Sequence, residues 1–386
     1  MTLPQPDAAA RAQSDTLTAR LRAQIAARGG WISFADYMHA ALYTPGLGYY
    51  SGGAHKFGPA GDFITSPELT PLFGQALAHQ LAQITAQSAD EVIEIGAGTG
   101  HLAADLLLEL AALQRTPTRY RILEVSGELR ARQADTLRQR APALADRVEW
   151  IDALPEHFSG AVVANEVLDV MPVHLMVWRD GEIFERGVAL DGDGAFGWSD
   201  RPADDRLRAA ASALGAPMPV EGEYVSELNL AGPAWVADWG HRLARGALVL
   251  IDYGYPRAEY YLPSRSNGTL LCYYRHHAHG DPFLWPGLND ITSFVDFTAI
   301  AQAAFDAGLD IYGYTNQARF LYNCGILDRL AARGEQTSAD YIRAARAVQR
   351  LTAPQEMGEL FKVLTVGKGL AEPLLGHARG DRLHGL

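Results

Sequence analysis

An apolar strand that runs unbroken into three alternating glycines constrains this chain more than any other feature. The segment is Glu91-Val-Ile-Glu-Ile-Gly-Ala-Gly-Thr-Gly100, and an amphipathic helix follows over 101–113. Glycine lets the backbone reverse sharply at a strand end and lets a ligand come closer than a Cβ permits. The pattern therefore predicts a nucleotide-sized ligand held over a helix N-terminus. A dinucleotide site requires G-x-G-x-x-G, whose third glycine would fall at His101. Here it falls one residue earlier, at Gly100, and no pyrophosphate cradle is expected.

Acidic residues recur where a nucleoside needs them. The next apolar strand, 120–125, carries Glu124, whose two oxygens suit both hydroxyls of a ribose. The third, 147–151, is followed by Asp152, placed to accept from an adenine amino group. Both positions lie at the C-terminal strand edge, where open α/β sheets bind ligands. The G-x-G-x-G form after an acidic-apolar strand resembles motif I of class I S-adenosylmethionine methyltransferases.

The chain has 386 residues, enough for a large core and more than one lobe. A net charge of −12 argues against wholesale nucleic-acid binding, which needs a basic surface. Two cysteines far apart, Cys272 and Cys324, imply no disulfide framework and a reducing, cytoplasmic setting. No run of about 18 apolar residues is present, so no membrane span is expected. Residues 9–28 read as a plain amphipathic N-terminal helix. Ser33 opens a second helix to about Leu42, and the Gly/Tyr-rich segment 43–62 reads as a lid. Ser66 is expected to cap a helix that has Pro67 at its first position.

From Glu91 onward strand and helix alternate, with strands near 91–95, 120–125, 147–151, 160–165 and 246–252 and a last one at 360–366. Apolar strands with intervening helices mean a parallel sheet covered on both faces. A first insert opens with a hairpin, 175–178 and 182–189, followed by an Asp/Gly-rich loop over 191–206 and a helix over 205–214. A second insert spans 255–345. The expected division is 1–80 as a helical and lid segment, 81–172 as the first half of the core, 173–245 as insert, 246–254 as core strand, 255–345 as substrate lobe and 346–386 as final strand and tail.

The fourth strand delivers Asn165-Glu-Val-Leu-Asp-Val-Met-Pro172 to the reaction edge. Amino-methyltransferases of nucleic acids and glutamine place Asn/Asp-Pro-Pro-aromatic there to cradle a planar amide. Glu166 in place of that proline disfavours an amide and suits a cationic acceptor. Glu166 and Asp169 share a face if the segment makes a helical turn. A guanidinium's planar fork matches carboxylates, which orient it and take its proton although its free pKa exceeds about 12.

With these residues in hand, the chain resembles the MidA family of class I methyltransferases over roughly 31–369. The resemblance rests on Gly61-Asp-Phe-Ile-Thr-Ser-Pro-Glu68, Glu94-Ile-Gly-Ala-Gly-Thr-Gly100, Asn165-Glu-Val-Leu-Asp-Val-Met-Pro-Val-His174, Asp252-Tyr-Gly254, Pro286-Gly-Leu-Asn-Asp-Ile-Thr292 and Glu356-Met-Gly-Glu-Leu-Phe361. It implies a Rossmann-like, mostly parallel seven-stranded α/β sheet with helices on both faces, an N-terminal lid segment and a substrate lobe built from the inserts. It also implies S-adenosyl-L-methionine as cofactor, S-adenosyl-L-homocysteine as product, and a protein arginine as acceptor, in the manner of relatives that act on a respiratory complex I subunit. A homodimer is a further expectation. Asp62 and Thr65 are implied to hold the amino-acid end of the cofactor. The full set of candidate cofactor contacts is Asp62, Thr65, Glu94, Gly96, Ala97, Gly98, Gly100, Glu124, Asp152, Ala153 and Asn165. The catalytic candidates are Glu166, Asp169 and His277.

Arg275-His276-His277-Ala278-His279 has no metal-ligand spacing, and no metal is expected. His277 matches a histidine-containing loop of the family and could accept a proton near the acceptor. Six tyrosines over 253–274 are dense enough to line a guanidinium pocket, with packing as the alternative. The competing functions are methylation of a small cationic or carboxyl metabolite, and a SAM-binding assembly factor that docks a partner through Trp235, Trp239, Phe283, Leu284 and Trp285.

Overall fold

The computed structural model describes residues 3–52, 65–216, 219 and 221–386. The chain forms two compact units. One comprises Met1–Phe63, Leu168–Gly232 and Tyr255–Asp296, and the other Ile64–Val167, Pro233–Gly254 and Phe297–Leu386.

The second unit is organised by a sheet whose strands are β1 (Glu91–Ile95), β2 (Arg119–Leu123), β3 (Val148–Ile151), β4 (Phe158–Asn165), β5 (Leu243–Tyr255), β6 (Asp310–Asn316) and β7 (Phe361–Lys368). Their order is β6-β7-β5-β4-β1-β2-β3. The strands from β5 to β3 pair in parallel, while β7 runs antiparallel to both β5 and β6. Because β1 lies between β4 and β2, the chain reverses direction across the sheet there, leaving a crevice at the C-terminal strand ends. Val92, Ile93, Ala161, Val163, Val249 and Ile251 are buried, as strands covered on both faces must be. Helices α1 (Pro71–Gln87), α2 (His101–Ala112) and α3 (Gly127–Arg140) pack Leu77, Leu107 and Leu137 into the same core.

Strand β6 lies inside the segment expected to be wholly insert. Its sequence, Asp-Ile-Tyr-Gly-Tyr-Thr-Asn, carries a central glycine and alternates poorly. Pairing with β7 overrides that weak local preference, and Gly313 is required because the His377 ring lies 2.2 Å from where its Cβ would be.

The first unit is mainly antiparallel. Its larger sheet orders Trp31–Ser33, Glu182–Leu190, Val173–Arg179 and Tyr224–Asn229, with Phe196–Pro202 added to Glu182–Leu190. The last of these occupies the expected loop over 191–206. Only 191–195 forms the turn, closed by Asp191 N–H donating to Ala195 O at 2.9 Å, and the aromatic residues Phe196 and Trp198 extend the hairpin. A second sheet holds His277–His279, Leu271–Tyr274 and Asp290–Thr292. Of the expected lid, residues 43–52 fold back on the helix Phe34–Tyr43, with Tyr49 N–H and Tyr50 N–H donating to Ala41 O and Leu42 O. The remainder lies outside the described residues.

Candidate active site

The glycine turn leaves β1 with Gly96, Gly98 and Gly100 all at positive φ, 67°, 52° and 85°. Such a run is open to glycine and strained for other residues. The three differ in purpose. A Cβ on Gly98 would meet nothing within 4 Å, whereas one on Gly100 would stand 3.0 Å from the Cα of Gln133. Gly96 is exposed, Gly98 half-buried, and Gly100 and Ala97 buried. Gly96 and Gly98 thus present backbone outward, while Gly100 lets α3 come close. The sequence reading assigned all three to the ligand; the structure gives Gly100 a packing role.

Gly100 is also the N-cap of α2 and supplies no side chain to it. Glu68, from the short helix Ser66–Leu69, comes to the place left open. Its Oε2 lies 3.0 Å from Nδ1 of His101, the first residue of α2, and its Oε1 accepts from the Thr99 hydroxyl. Burial acts to raise the carboxyl's pKa, but these hydrogen bonds prevail and hold it below the ordinary value. A carboxylate at a helix N-terminus is further favoured by the macrodipole.

Glu94 is buried at the end of β1 and accepts from the Tyr120 hydroxyl at 2.6 Å. Burial pushes its pKa up to about 7, against the pull of that hydrogen bond, and the charge of Glu124 adds to the rise. Glu124 follows β2 and is buried. Its Oε1 accepts from Ser126 N–H at 2.9 Å and its Oε2 from Gln133 Nε2 at 3.0 Å. Next to it Val125 is 73% exposed, an apolar surface beside this carboxylate that sequence reasoning passed over.

Asp152 and Ala153 follow β3 and are exposed. The Asp152 side chain is 91% exposed, and its Oδ1 pairs with Arg130 Nη2 at 2.7 Å. Arg130 also donates to Glu124 O at 2.7 Å and Ile151 O at 3.0 Å, so it ties the ends of β2 and β3 together. Nothing in the arginine-rich sequence of α3 marked Arg130 or Gln133 as site residues.

At the end of β4 the backbone turns through Glu166, which has φ 54° although it is not glycine. Its N–H donates to Ile251 O at 2.9 Å and its Oε1 accepts from Asn165 Nδ2 at 3.0 Å. Asp252, buried in β5, receives Val167 N–H at 3.2 Å and fixes the segment behind it. Asn165 Oδ1 is buried without a hydrogen-bond partner. Buried acceptors in that condition are rare and mark places where a further group belongs.

The expected helical turn over 166–169 does not form. Glu166 lies in the left-handed region, outside helical geometry, and the chain passes from one unit to the other between Val167 and Leu168. Glu166 belongs to the sheet unit. Asp169 is buried in the other, where its carbonyl accepts from Ser293 N–H at 2.9 Å. His277 lies in that unit too, half-buried on the strand His277–His279 and paired in register with Tyr274. Thr65 is half-buried and stands as the N-cap of Ser66–Leu69 without a side-chain capping bond. Ser66 is not the cap; its hydroxyl donates to Gln317 Oε1 at 3.4 Å. Asp62 lies outside the described residues.

The tyrosines pack. Tyr260 is buried and donates to Glu227 Oε2 at 3.0 Å, Tyr261 donates to Glu227 O, Tyr253 stands edge-on to Phe361, and Tyr255 carries the guanidinium of Arg265 at 4.3 Å. Trp239 is buried against Phe158 and Trp235, whereas Phe283 is half-buried, set against Tyr37 and against Trp198, which is 41% exposed. Trp239 is therefore a core residue and not part of a docking face. No helix among the described residues is long and apolar enough to cross a membrane.

Outward-facing glycine backbone, pinned acids at two strand ends and an orphaned acceptor at a third fit a nucleoside with a cationic tail. The comparisons with known proteins agree. A family model for S-adenosyl-L-methionine-dependent methyltransferases matches residues 72–315. The mitochondrial protein arginine methyltransferase NDUFAF7 homolog of Drosophila melanogaster is 30% identical, covering 95% of this chain and 88% of its own. The mouse protein arginine methyltransferase NDUFAF7 is 29% identical over 92% and 83%. A Burkholderia thailandensis protein crystallised with S-adenosyl-homocysteine is 51% identical, and its structure superposes with a TM-score of 0.96 over the whole of both chains. The chain therefore belongs to the MidA family of S-adenosylmethionine-dependent methyltransferases.

Proposed function

We propose that the methyl acceptor is an arginine side chain of a protein partner. The observation that carries this is Glu166: a carboxylate held in the left-handed region at the C-terminal end of β4, where a glycine would be easier. Strain of that kind persists where the side chain is needed. The names of the Drosophila and mouse relatives, both protein arginine methyltransferases, support the same acceptor.

In this reading Gly96, Ala97 and Gly98 offer backbone to the cofactor, Glu124 receives the ribose hydroxyls, and Asp152 with Ala153 borders the base. Glu94, Asn165, Thr65 and Asp62 serve the methionyl end. When bound, the cofactor supplies its methyl group from a sulfonium and leaves as S-adenosyl-L-homocysteine. Glu166 orients the guanidinium through a forked pair of hydrogen bonds, draws its positive charge away from the attacking nitrogen and accepts the proton released there. Asp169 is kept as a second candidate carboxylate and His277 as a candidate proton acceptor. The reading extends to a respiratory complex I subunit as partner, a homodimer and a cytoplasmic site of action.

Transfer of radiolabelled methyl into lysate lacking this protein tests it, with the labelled residue read by mass spectrometry and the size of the enzyme by light scattering. Glu166→Gln should lower kcat/KM by about 100-fold or more while S-adenosylmethionine binds within about twofold of wild type. Label on lysine, or on a small molecule, would sink the arginine assignment.

A further inference from the structure

We propose that Gln133 is a positioning residue for the nucleoside half of the site, acting through Glu124 without touching the ligand. The inference rests on the reading that Glu124 receives the ribose. The buried residues of α3 are Leu129, Gln133 and Leu137, one apolar stripe with an amide at its centre. Leucine would serve the packing equally well at that point. What the amide adds is three hydrogen bonds. Its Nε2 donates to Gly98 O at 3.0 Å and to Glu124 Oε2 at 3.0 Å, and its Oε1 accepts from Trp150 Nε1 at 2.8 Å.

One side chain thereby joins the glycine turn after β1, the acid after β2 and the indole on β3. Gly100 makes this possible, since a Cβ there would stand 3.0 Å from Gln133 Cα. Ser126 N–H holds the other oxygen of Glu124 at 2.9 Å, so the carboxylate is pinned at both oxygens by neutral donors. It keeps one orientation. Without Gln133 the carboxylate loses a fixed point, and the Gly98 carbonyl loses the donor that sets the turn.

The test measures discrimination. Calorimetric titration of the full chain with S-adenosyl-L-homocysteine and with its 2′-deoxyribose analogue gives a ratio of affinities that reports the ribose contact alone. Gln133→Leu should shrink that ratio by about tenfold, as loss of a hydrogen bond to a charged group does, while circular dichroism shows a cooperative melt. Trp150→Phe, which leaves both donors in place, should change it by less than about threefold. If Gln133→Leu does not fold, the isosteric Gln133→Glu replaces it, and the same loss of ratio is expected because an acceptor then faces Glu124. Equal weakening of both ligands, or no weakening, overturns the proposal. Glu124→Gln separates the two readings. A ratio lost there but kept in Gln133→Leu ends the positioning role alone, and a ratio kept in Glu124→Gln removes the ribose assignment beneath it.

Discussion

Two neighbouring parallel strands, β1 and β4, end in the same kind of backbone reversal, and they solve it in opposite ways. After β1 the positive φ angles fall on glycine. After β4 the corresponding angle falls on Glu166, with no glycine near it. The first turn discards side chains so that backbone can meet a ligand. The second keeps one where it is costly, by about 1–3 kcal/mol for a residue of this kind. The sheet thus has one edge position built for approach and another built to present a carboxylate.

Gly98→Val attacks the first turn most directly. Because a Cβ there meets nothing within 4 Å, the protein should still fold, with the added side chain standing where the ligand approaches. Calorimetry should show S-adenosylmethionine affinity down by about 100-fold or more, and wild-type affinity would break the comparison. Glu166→Gly attacks the second. It should lower methyl transfer by about 100-fold yet raise the melting temperature by a degree or more, since the left-handed strain of about 1 kcal/mol or more is relieved. A variant that is both slower and less stable would mean that Glu166 is there for the fold.

Gly100→Ala sharpens the contrast within the glycine turn. Its φ of 85° and the Gln133 backbone at 3.0 Å predict a loss of about 1–2 kcal/mol in urea unfolding, larger than Gly98→Ala gives. The smallest effect is one of pH. The folded pKa of Glu94, about 7, lies above its ordinary value of 4.5. The stability it contributes is therefore fully present below about pH 4.5 and declines as pH rises through 7. Glu94→Gln should flatten the fall in melting temperature between pH 5 and 8, and parallel curves would show that Glu94 does not cause it.

What could be read from the sequence followed residue chemistry that acts locally. Alternating glycines and acids after apolar strands announce themselves, so β1, Glu124 and the strand-end placement of Asp152 were legible. The pairing of the exposed Asp152 with Arg130 was not, because it depends on an arginine reaching it from α3. Gln133 escaped notice for a similar reason. A glutamine among arginines looks like a wet helix face until the strand ends arrive to receive its donors. The left-handed angle at Glu166 has no signature in its residue type, so the condition for pairing it with Asp169, a helical turn, could not be tested from sequence. Strand β6 was missed because its pairing with β7, across some fifty residues of chain, outweighs a weak local pattern.

The contact of Glu68 with Thr99 and His101 has a consequence for selectivity. Any pocket that reads ribose and adenine also faces the adenosine phosphates, which offer the same nucleoside. Helix N-termini ordinarily welcome phosphate. At α2 that welcome has already been answered by a carboxylate of the chain itself, so a phosphoryl group entering there meets like charge, while a sulfonium or ammonium meets a counterion. A carboxylate at this helix end disfavours a phosphate there and favours a cation.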